Sequence, residues 1–341
     1  MGVKFRMNQL LILSLLLNLF ASSKSTENDF TEYTHPKYGA KWRASHSNRR
    51  FRTANEVDGL LGARHESAEE RARRPTIHHP LSANNELPVT FNAIDKWYWC
   101  KSITRIRDQS KCGSCWAVAA VEAMTDRVCI HSNGKYRKRL SETDLLACCK
   151  TCGDGCNGGW PARAWDFWKS DGVVTGGSRE AKEGCKSYPF PRCTHYGEGK
   201  YKKCPAERYP TPICINLCDS DAIDYEKDKT RANSSYNVPA NEKQIMMEIM
   251  TNGPVEAAFD VYEDFPTYTS GIYFHAWGEL KSGHAVKIVG WGEEDGVPYW
   301  LVANSWNEGW GENGFVRFLR GMDECRIESE ITAGMTDLDA L

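Results

Sequence analysis

Residues 115–130 (CWAVAAVEAMTDRVCI) are apolar on most faces, which predicts a helix buried all round rather than one lying on a surface. A second helix is predicted from Leu140-Ser141-Glu142-Thr143-Asp144. Ser141 takes its N-cap position and Asp144 stands three residues on, resembling a capping box. Residues 160–170 carry a third helical pattern, and Asn241 is placed to cap a fourth, which Asn252-Gly253-Pro254 stops. Past that point the pattern turns strand-like over residues 255–261, 272–275, 284–290, 299–304 and 315–319, with glycine-rich turns between. Helices first and strands later predict an α+β protein of two segregated lobes, with the cleft between them as the natural place for a site.

At the start of the chain, Lys4 and Arg6 precede an apolar stretch, residues 10–20, interrupted by Ser14 and Asn18 and followed by Ala21-Ser22-Ser23. That order predicts a secretory signal over residues 1–23. A membrane anchor is the competing reading, but a span needs ~20 apolar residues and this run is about half that. No later segment is long and apolar enough to span a bilayer. The 341 residues are 41% hydrophobic and 26% charged, which excludes wholesale disorder. Lys+Arg number 43 and Asp+Glu 45, so the balance gives no reason to expect nucleic acid or an anionic membrane as partner. Fourteen cysteines in a secretory chain predict disulfides, and all lie between Cys100 and Cys325. Residues 24–86 hold none and carry basic patches, Arg49-Arg50 and Arg71-Ala72-Arg73-Arg74-Pro75, before a loop-like run ending at Glu86. This leader reads as a propeptide with a nickable linker; the competing reading is a disordered linker. The leader carries 11 basic and 9 acidic side chains against 30 and 36 in residues 87–341, opposite signs that attract modestly at physiological salt.

Gln109-Ser-Lys-Cys112-Gly113-Ser114-Cys115-Trp116-Ala117 is the string richest in chemistry. Cys112-Gly-Ser-Cys115 has three readings. A redox pair needs a thioredoxin-like βαβ context, which is absent. Half a zinc site needs a second C-x-x-C, and Cys149-Lys-Thr-Cys152 stands at a spacing outside the usual range. The third reading is a catalytic thiol at Cys115 with Cys112 in a structural disulfide. Cys115 begins the buried helix, where exposed N–H groups and the helix dipole favour thiolate over thiol. A thiolate needs an imidazole beside it, to form the ion pair and later to protonate a leaving amine. His131 lies in a polar turn and is expected to be exposed, and His275, near a strand end, stays open. His284 opens the run GHAVKIVGWG. Folding the hairpin about residue 294 sets His284 opposite Asn304, whose amide oxygen would fix the imidazole's tautomer.

These strings resemble the motifs of the papain family of cysteine peptidases, and residues 87–341 resemble its cathepsin B-like members nearly continuously. The resemblance implies the papain-like two-lobe fold, with a helical N-terminal lobe and a β-barrel-like C-terminal lobe, made as an inactive zymogen. It implies peptide-bond hydrolysis through a Cys115 thioester, with His284 as base, Asn304 as its orienter and Trp306 shielding their hydrogen bond. Gln109 and the Cys115 N–H would form an oxyanion hole. Gly158, Gly159 and Gly283 would let substrate backbone lie close, and Glu330 would stand at the base of the second subsite, with Arg326 where the family usually has glycine. No metal or organic cofactor is implied. Partners would be peptide and protein substrates, the chain's own propeptide as inhibitor, and cystatin-like inhibitors. Two rivals remain: a catalytically silent, disulfide-stapled binding protein on the same fold, and a disulfide-exchange protein using Cys112 and Cys115.

His284 lies 169 residues after Cys115, beyond the family's usual separation of about 130–150, so an insertion is expected. Residues 185–218, dense in Cys, Pro, Lys and Tyr, match the family's occluding loop in position. That loop carries two adjacent histidines in the family; here His195 is followed by Tyr196, so peptidyl-dipeptidase activity is expected to be weakened. Asp108 would clamp His195 when the imidazole is protonated, below its reference pKa of about 6.5, so that rising pH loosens the loop. The implied disulfides are Cys100–Cys129, Cys112–Cys156, Cys148–Cys214, Cys149–Cys152, Cys185–Cys218 and Cys193–Cys204. Cys115 and Cys325 stay free, the latter as a buried apolar residue. Asn233-Ser-Ser is a glycosylation acceptor whose polar surroundings suit a surface loop. The expected compartment is the secretory pathway, lysosomal or extracellular.

Overall fold

The computed structural model describes residues 30–45, 57–80, 87–195 and 199–341; the expected signal segment, residues 82–86 and Tyr196 lie outside these. In chain order the elements begin with strands β1 (Phe30–Thr34) and β2 (Lys41–Ser45), helix α1 (Ala68–Ala72), β3 (Phe91–Asn92) and α2 (Ala93–Lys96). Three helices follow, α3 (Cys115–His131), α4 (Glu142–Cys148) and α5 (Pro161–Ser170). The rest alternate less: β4 (Ala232–Val238), α6 (Glu242–Asn252), β5 (Val255–Tyr262), β6 (Tyr268–Tyr273), β7 (Leu280–Glu294), β8 (Val297–Ala303), β9 (Phe315–Leu319) and β10 (Glu330–Thr336).

Helix α3 is buried from Cys115 to Ile130, as its all-round apolar pattern requires. Its charged residues are held in pairs: Asp126 accepts from Lys287 Nζ at 2.8 Å, and Arg127 donates to Glu248 at 2.8 Å and to the carbonyls of Gly253 and Pro254. Unpaired charge at this depth would be strongly destabilising. Ser141 caps α4 through its hydroxyl, which accepts from Asp144 N at 3.1 Å. The reciprocal half of a capping box is absent, because the Asp144 carboxylate takes Lys186 Nζ at 2.9 Å and the Tyr225 hydroxyl at 2.8 Å. Asn241 caps α6, and Gly253 ends it at φ +105°, a conformation favouring glycine.

The strands hydrogen-bond in the order β1-β2-β6-β9-β8-β7-β5-β10-β4, with β3 on β7. All pairs are antiparallel except β6 with β9. The β7–β8 hairpin turns between Glu294 and Val297, and a bulge between Ile288 and Gly290 shifts its register. Six disulfides staple the helical lobe and the loop after it: Cys100–Cys129, Cys112–Cys156, Cys148–Cys214, Cys149–Cys152, Cys185–Cys218 and Cys193–Cys204, the pairs that the resemblance implies. No helix among the described residues is long and apolar enough to cross a membrane.

The leader is part of this architecture. Its β2 pairs with β6 and so extends the body's sheet by strand addition. Trp42 is buried against Tyr273 and Tyr268, with ring centroids 5.2 and 6.2 Å away. The basic run at residues 71–75 is docked on the body. The Arg74 guanidinium is buried and reaches Glu66 at 2.8 Å, Asp166 at 2.7 Å and Asn237 at 3.2 Å. Ile77 N–H donates to Asn237 O at 3.1 Å, and His79 Nε2 lies 2.6 Å from Glu248. For the described leader residues, the disordered-linker reading therefore fails: paired charges and strand addition tie them down.

Candidate active site

Cys115 is fully buried and reduced. No side chain caps the start of α3, because the Ser114 hydroxyl turns to the Tyr188 hydroxyl at 2.9 Å. The sulfur is met by three backbone amides: Trp116 on its own helix, Ala285 on β7, and Gly62 on the leader. Burial nevertheless pushes the thiol up to about 11, because those dipoles do not replace lost water.

His284, one residue before Ala285, is fully buried on β7. Its Nε2 lies 2.8 Å from Asn304 Oδ1, just past β8. An amide oxygen can only accept, so Nε2 carries the proton. Nδ1 has no hydrogen-bond partner among the described residues. Trp306 covers the ring at a centroid distance of 5.0 Å, and Phe259 meets it edge-on at 5.7 Å. Burial pushes the imidazole down to about 4, opposed by the Asn304 hydrogen bond. With the thiol raised and the imidazole lowered, burial favours the neutral form of each at neutral pH. Sequence reasoning expected an ion pair; here both groups are fully buried, and burial disfavours their charged forms.

Residues 60–65 of the leader cross the cleft. Gly159 N–H donates to Gly62 O at 2.8 Å, Arg64 N–H to Gly159 O at 2.8 Å, and Ala63 N–H to Gly283 O at 3.1 Å. A Cβ on Gly159 would lie 2.6 Å from Cys152 O, one on Gly283 2.3 Å from Ala63 O, and one on Gly62 1.9 Å from Gly113 O. This close passage of backbones depends on glycine at each place. Gly158, at φ +104°, turns the chain into position.

Gln109 is fully buried, and its Nε2 donates to the leader's Leu60 O at 2.8 Å and to Cys112 O at 2.7 Å. Its orientation is set by the Ser305 hydroxyl, which donates to Gln109 Oε1 at 2.7 Å. Sequence reasoning assigned Ser305 no role, although it sits inside the Asn304-Ser305-Trp306 string.

Glu330 opens β10 at the other end of the cleft. Arg326 Nη2 reaches Glu330 Oε1 at 3.0 Å, and the leader's His65 bridges two carboxylates, with Nδ1 2.9 Å from Glu330 and Nε2 2.8 Å from Asp260. The hydrogen bond to Glu330 raises the His65 pKa, against the opposing effect of burial. Arg326 sits at φ +65°, left-handed backbone that favours glycine. Neither His65 nor Asp260 was legible as a site residue, since they meet only when leader and body are folded together.

In the loop region, Asp108 is a buried hub. Its carboxylate takes His195 Nε2 at 2.7 Å, Cys193 N–H at 2.9 Å, Ser110 N–H at 2.8 Å and Asn307 Nδ2 at 3.0 Å. Burial raises the carboxyl pKa, but His195 and the N–H donors together bring it below the ordinary value. Cys193, His195 and Cys204 cluster tightly, yet the two sulfurs form a disulfide and offer no thiolate to a metal.

The remaining residues lie elsewhere. His131 is half-buried rather than exposed, bonded to Thr336 Oγ1 and Asn252 O at 3.0 Å each. His275 stacks on Tyr262 at 3.8 Å and faces Asp264. Cys325 is half-buried rather than buried, with burial and Glu324 pushing its thiol up. Asn233 is exposed on β4, a strand and not a loop.

The model of the papain family cysteine proteases matches residues 87–335. A cathepsin B-like cysteine proteinase of Schistosoma japonicum is 55% identical over 304 residues, covering 88% of this chain and 87% of that one. Cathepsin B-like cysteine proteinase 6 of Caenorhabditis elegans is 49% identical over 286 residues, covering 83% and 75%. Among solved structures, procathepsin B S9 from Trypanosoma congolense superposes with a TM-score of 0.75 at 35% identity, covering 87% of this chain and 93% of that one. With a reduced cysteine at the head of a buried helix and a histidine held by an asparagine across the cleft, this chain belongs to the papain family as a cathepsin B-like cysteine peptidase.

Proposed function

We propose that residues 24–86 are an inhibitory propeptide and that residues 87–341, once released, act as an endopeptidase. The observation that carries this reading is the leader's passage over Cys115, held by Gly159 and Gly283 on either side. In the released enzyme the Cys115 proton passes to His284 Nδ1 and the sulfur attacks a peptide carbonyl. The tetrahedral oxyanion is stabilised by Gln109 Nε2 and the Cys115 N–H, an interaction worth ~3 kcal/mol of barrier. His284 returns its proton to the leaving amine, leaving a thioester; it then takes a proton from water, which releases the acid and regenerates the thiol. Leu60 O occupies the Gln109 donor and His65 occupies the Glu330 subsite, so the propeptide inhibits by using contacts meant for substrate. A silent binding protein is not favoured, since nucleophile, base, orienter and oxyanion donor all stand together.

His195 and Asp108 close the occluding loop over one end of the cleft, and Tyr196, lacking a second positive charge, weakens docking of a substrate's terminal carboxylate. The clamp keeps its carboxylate charge in acid, because the Asp108 pKa is lowered: its contribution is present above the ordinary carboxylate range and is lost as pH falls through the lowered value. Six disulfides support a secretory route, lysosomal or extracellular, with residues 1–23 as signal and Asn233 as glycan acceptor. Cystatin-like inhibitors are expected to enter the same cleft.

After leader removal, Cys115→Ala should lower kcat on a peptide amide by at least about 10⁴-fold, read by fluorogenic hydrolysis; retained turnover would contradict the assignment. Arg326→Gly removes a side chain from unfavourable backbone and uncovers Glu330. It should raise the Arg-Arg over Phe-Arg preference in kcat/KM by about tenfold, and an unchanged ratio would show that Arg326 does not screen this subsite. Asp108→Asn breaks a buried pair whose disruption typically costs about 3–5 kcal/mol. Dipeptide release should fall while internal cleavage of long peptides holds or rises; parallel loss of both would contradict a clamp.

A further inference from the structure

Among the described residues, strand β6 has the body's β9 on one side and the leader's β2 on the other. Once the leader is gone, β6 becomes a sheet edge with unpaired N–H and C=O groups. Proteins commonly guard such edges with charged side chains or proline. The strand Tyr268-Thr269-Ser270-Gly271-Ile272-Tyr273 carries neither. It is an edge open to another strand.

What the edge accepts is written in the leader. Ala40, Trp42 and Ala44 are buried, while Lys41 and Arg43 between them are exposed, so the inner face reads small, aromatic, small. The Trp42 ring lies 5.2 Å from Tyr273 and 6.2 Å from Tyr268. Its Nε1 has no hydrogen-bond partner among the described residues, so the slot reads an aromatic face rather than an indole N–H. Gly271 admits the strand: a Cβ there would lie 2.3 Å from Lys41 O and 2.7 Å from Trp42 Cα, both on the leader.

The slot is held by the body alone. The Tyr268 hydroxyl donates to Gly271 O at 2.7 Å, and Gly271 N–H donates to Glu312 Oε1 at 3.0 Å, a carboxylate fixed by Arg317 Nη2 at 2.7 Å. The Tyr273 hydroxyl donates to Asp264 at 2.6 Å. None of these bonds involves the leader, so the shape is prepared for a new occupant and little ordering cost remains. The slot also lies near the chemistry. Rings follow one another from Tyr273 to Phe265 at 5.1 Å, to Trp306 at 5.6 Å and to His284 at 5.0 Å. These contacts bound the Trp42 position at no more than about 21 Å from the His284 ring, a gap that about seven extended residues cross. One polypeptide can therefore fill slot and cleft together, as the leader does with Trp42 and residues 60–65.

We propose that β6 of the processed enzyme is a docking edge for protein substrates. An extended substrate segment with a small–aromatic–small inner face adds to β6, seats its ring against Tyr268 and Tyr273, and tethers the bond to be cut near Cys115. This rests on the reading of residues 24–86 as a removable propeptide. A tether acts alike on ground and transition states, so it lowers KM and leaves kcat unchanged.

The test uses the full chain, folded with its leader and then processed. An internally quenched peptide is compared with the same peptide joined, at either end, to Tyr-Gly-Ala-Thr-Trp-Thr-Ala-Ser. This segment follows residues 38–45, with threonine for the two outward cations to spare it from cleavage. A Gly-Ser linker of about twelve residues has a root-mean-square span near ~20 Å, matching the gap. At one of the two ends the segment should lower KM at least about tenfold at constant kcat. A Trp→Phe segment should keep the gain and a Trp→Ala segment should lose it. In the enzyme, Gly271→Ala sets a methyl group against the incoming strand and should abolish the ratio of the two KM values. Should that variant fold poorly, as judged by thermal unfolding, the Trp→Ala segment on the unaltered enzyme still decides. Equal KM with and without the segment, an equal gain from the Trp→Ala segment, or a full gain in folded Gly271→Ala would each overturn the proposal. So would a processed enzyme that sediments as a dimer and shows no gain, since the edge would then belong to a second copy. Failure to cleave even the untethered peptide would instead overturn the propeptide and peptidase reading, and this proposal with it.

Discussion

A sulfur at the head of a buried helix accepts from the amide of Ala285, the residue after His284, and water is kept from both the sulfur and the imidazole. Everything else in the cleft serves or controls that pair. The imidazole is held from behind by Asn304 at 2.8 Å, which leaves Nδ1 as the nitrogen able to take a proton. The sulfur stands at an uncapped helix start, where amide dipoles favour negative charge. These two arrangements favour the thiolate, yet burial pushes the thiol up to about 11 and the imidazole down to about 4.

That leader is held by several different forces, which is why it stays. Strand addition at β6 supplies backbone hydrogen bonds, Trp42 supplies apolar burial, and Arg74 supplies a buried ion pair with Glu66. Over the nucleophile, where side chains would collide, it offers Gly62. Beyond it, His65 bridges Glu330 and Asp260.

Much of this was legible in the sequence, because much of it is local. The all-apolar period of α3, the Ser141 and Asn241 caps, and the Asn252-Gly253-Pro254 stop are written in adjacent residues, and the structure bears each of them out. The hairpin brings His284 to Asn304 since its turn lies close to residue 294, although the bulge after Ile288 made register uncertain. What stayed hidden is non-local. Strands β4 and β10 lack a clear apolar alternation and form through pairing with each other and with β5. The leader strands pair with a sheet more than 200 residues away. Ser305 and Asn307 act by orienting Gln109 and Asp108, through contacts that no spacing rule encodes.

On the proposed function, the leader lying over Cys115 disfavours the thiolate, and its removal makes the sulfur ionisable near neutrality. The pH dependence of Cys115 alkylation by iodoacetamide, measured on a Cys325→Ser background with and without the leader, tests it most directly. In the full chain the rate should stay low through neutrality and rise only toward the titration of a thiol near 11; after leader removal the rise should move down by several pH units. Coincident profiles in the two forms would contradict the account.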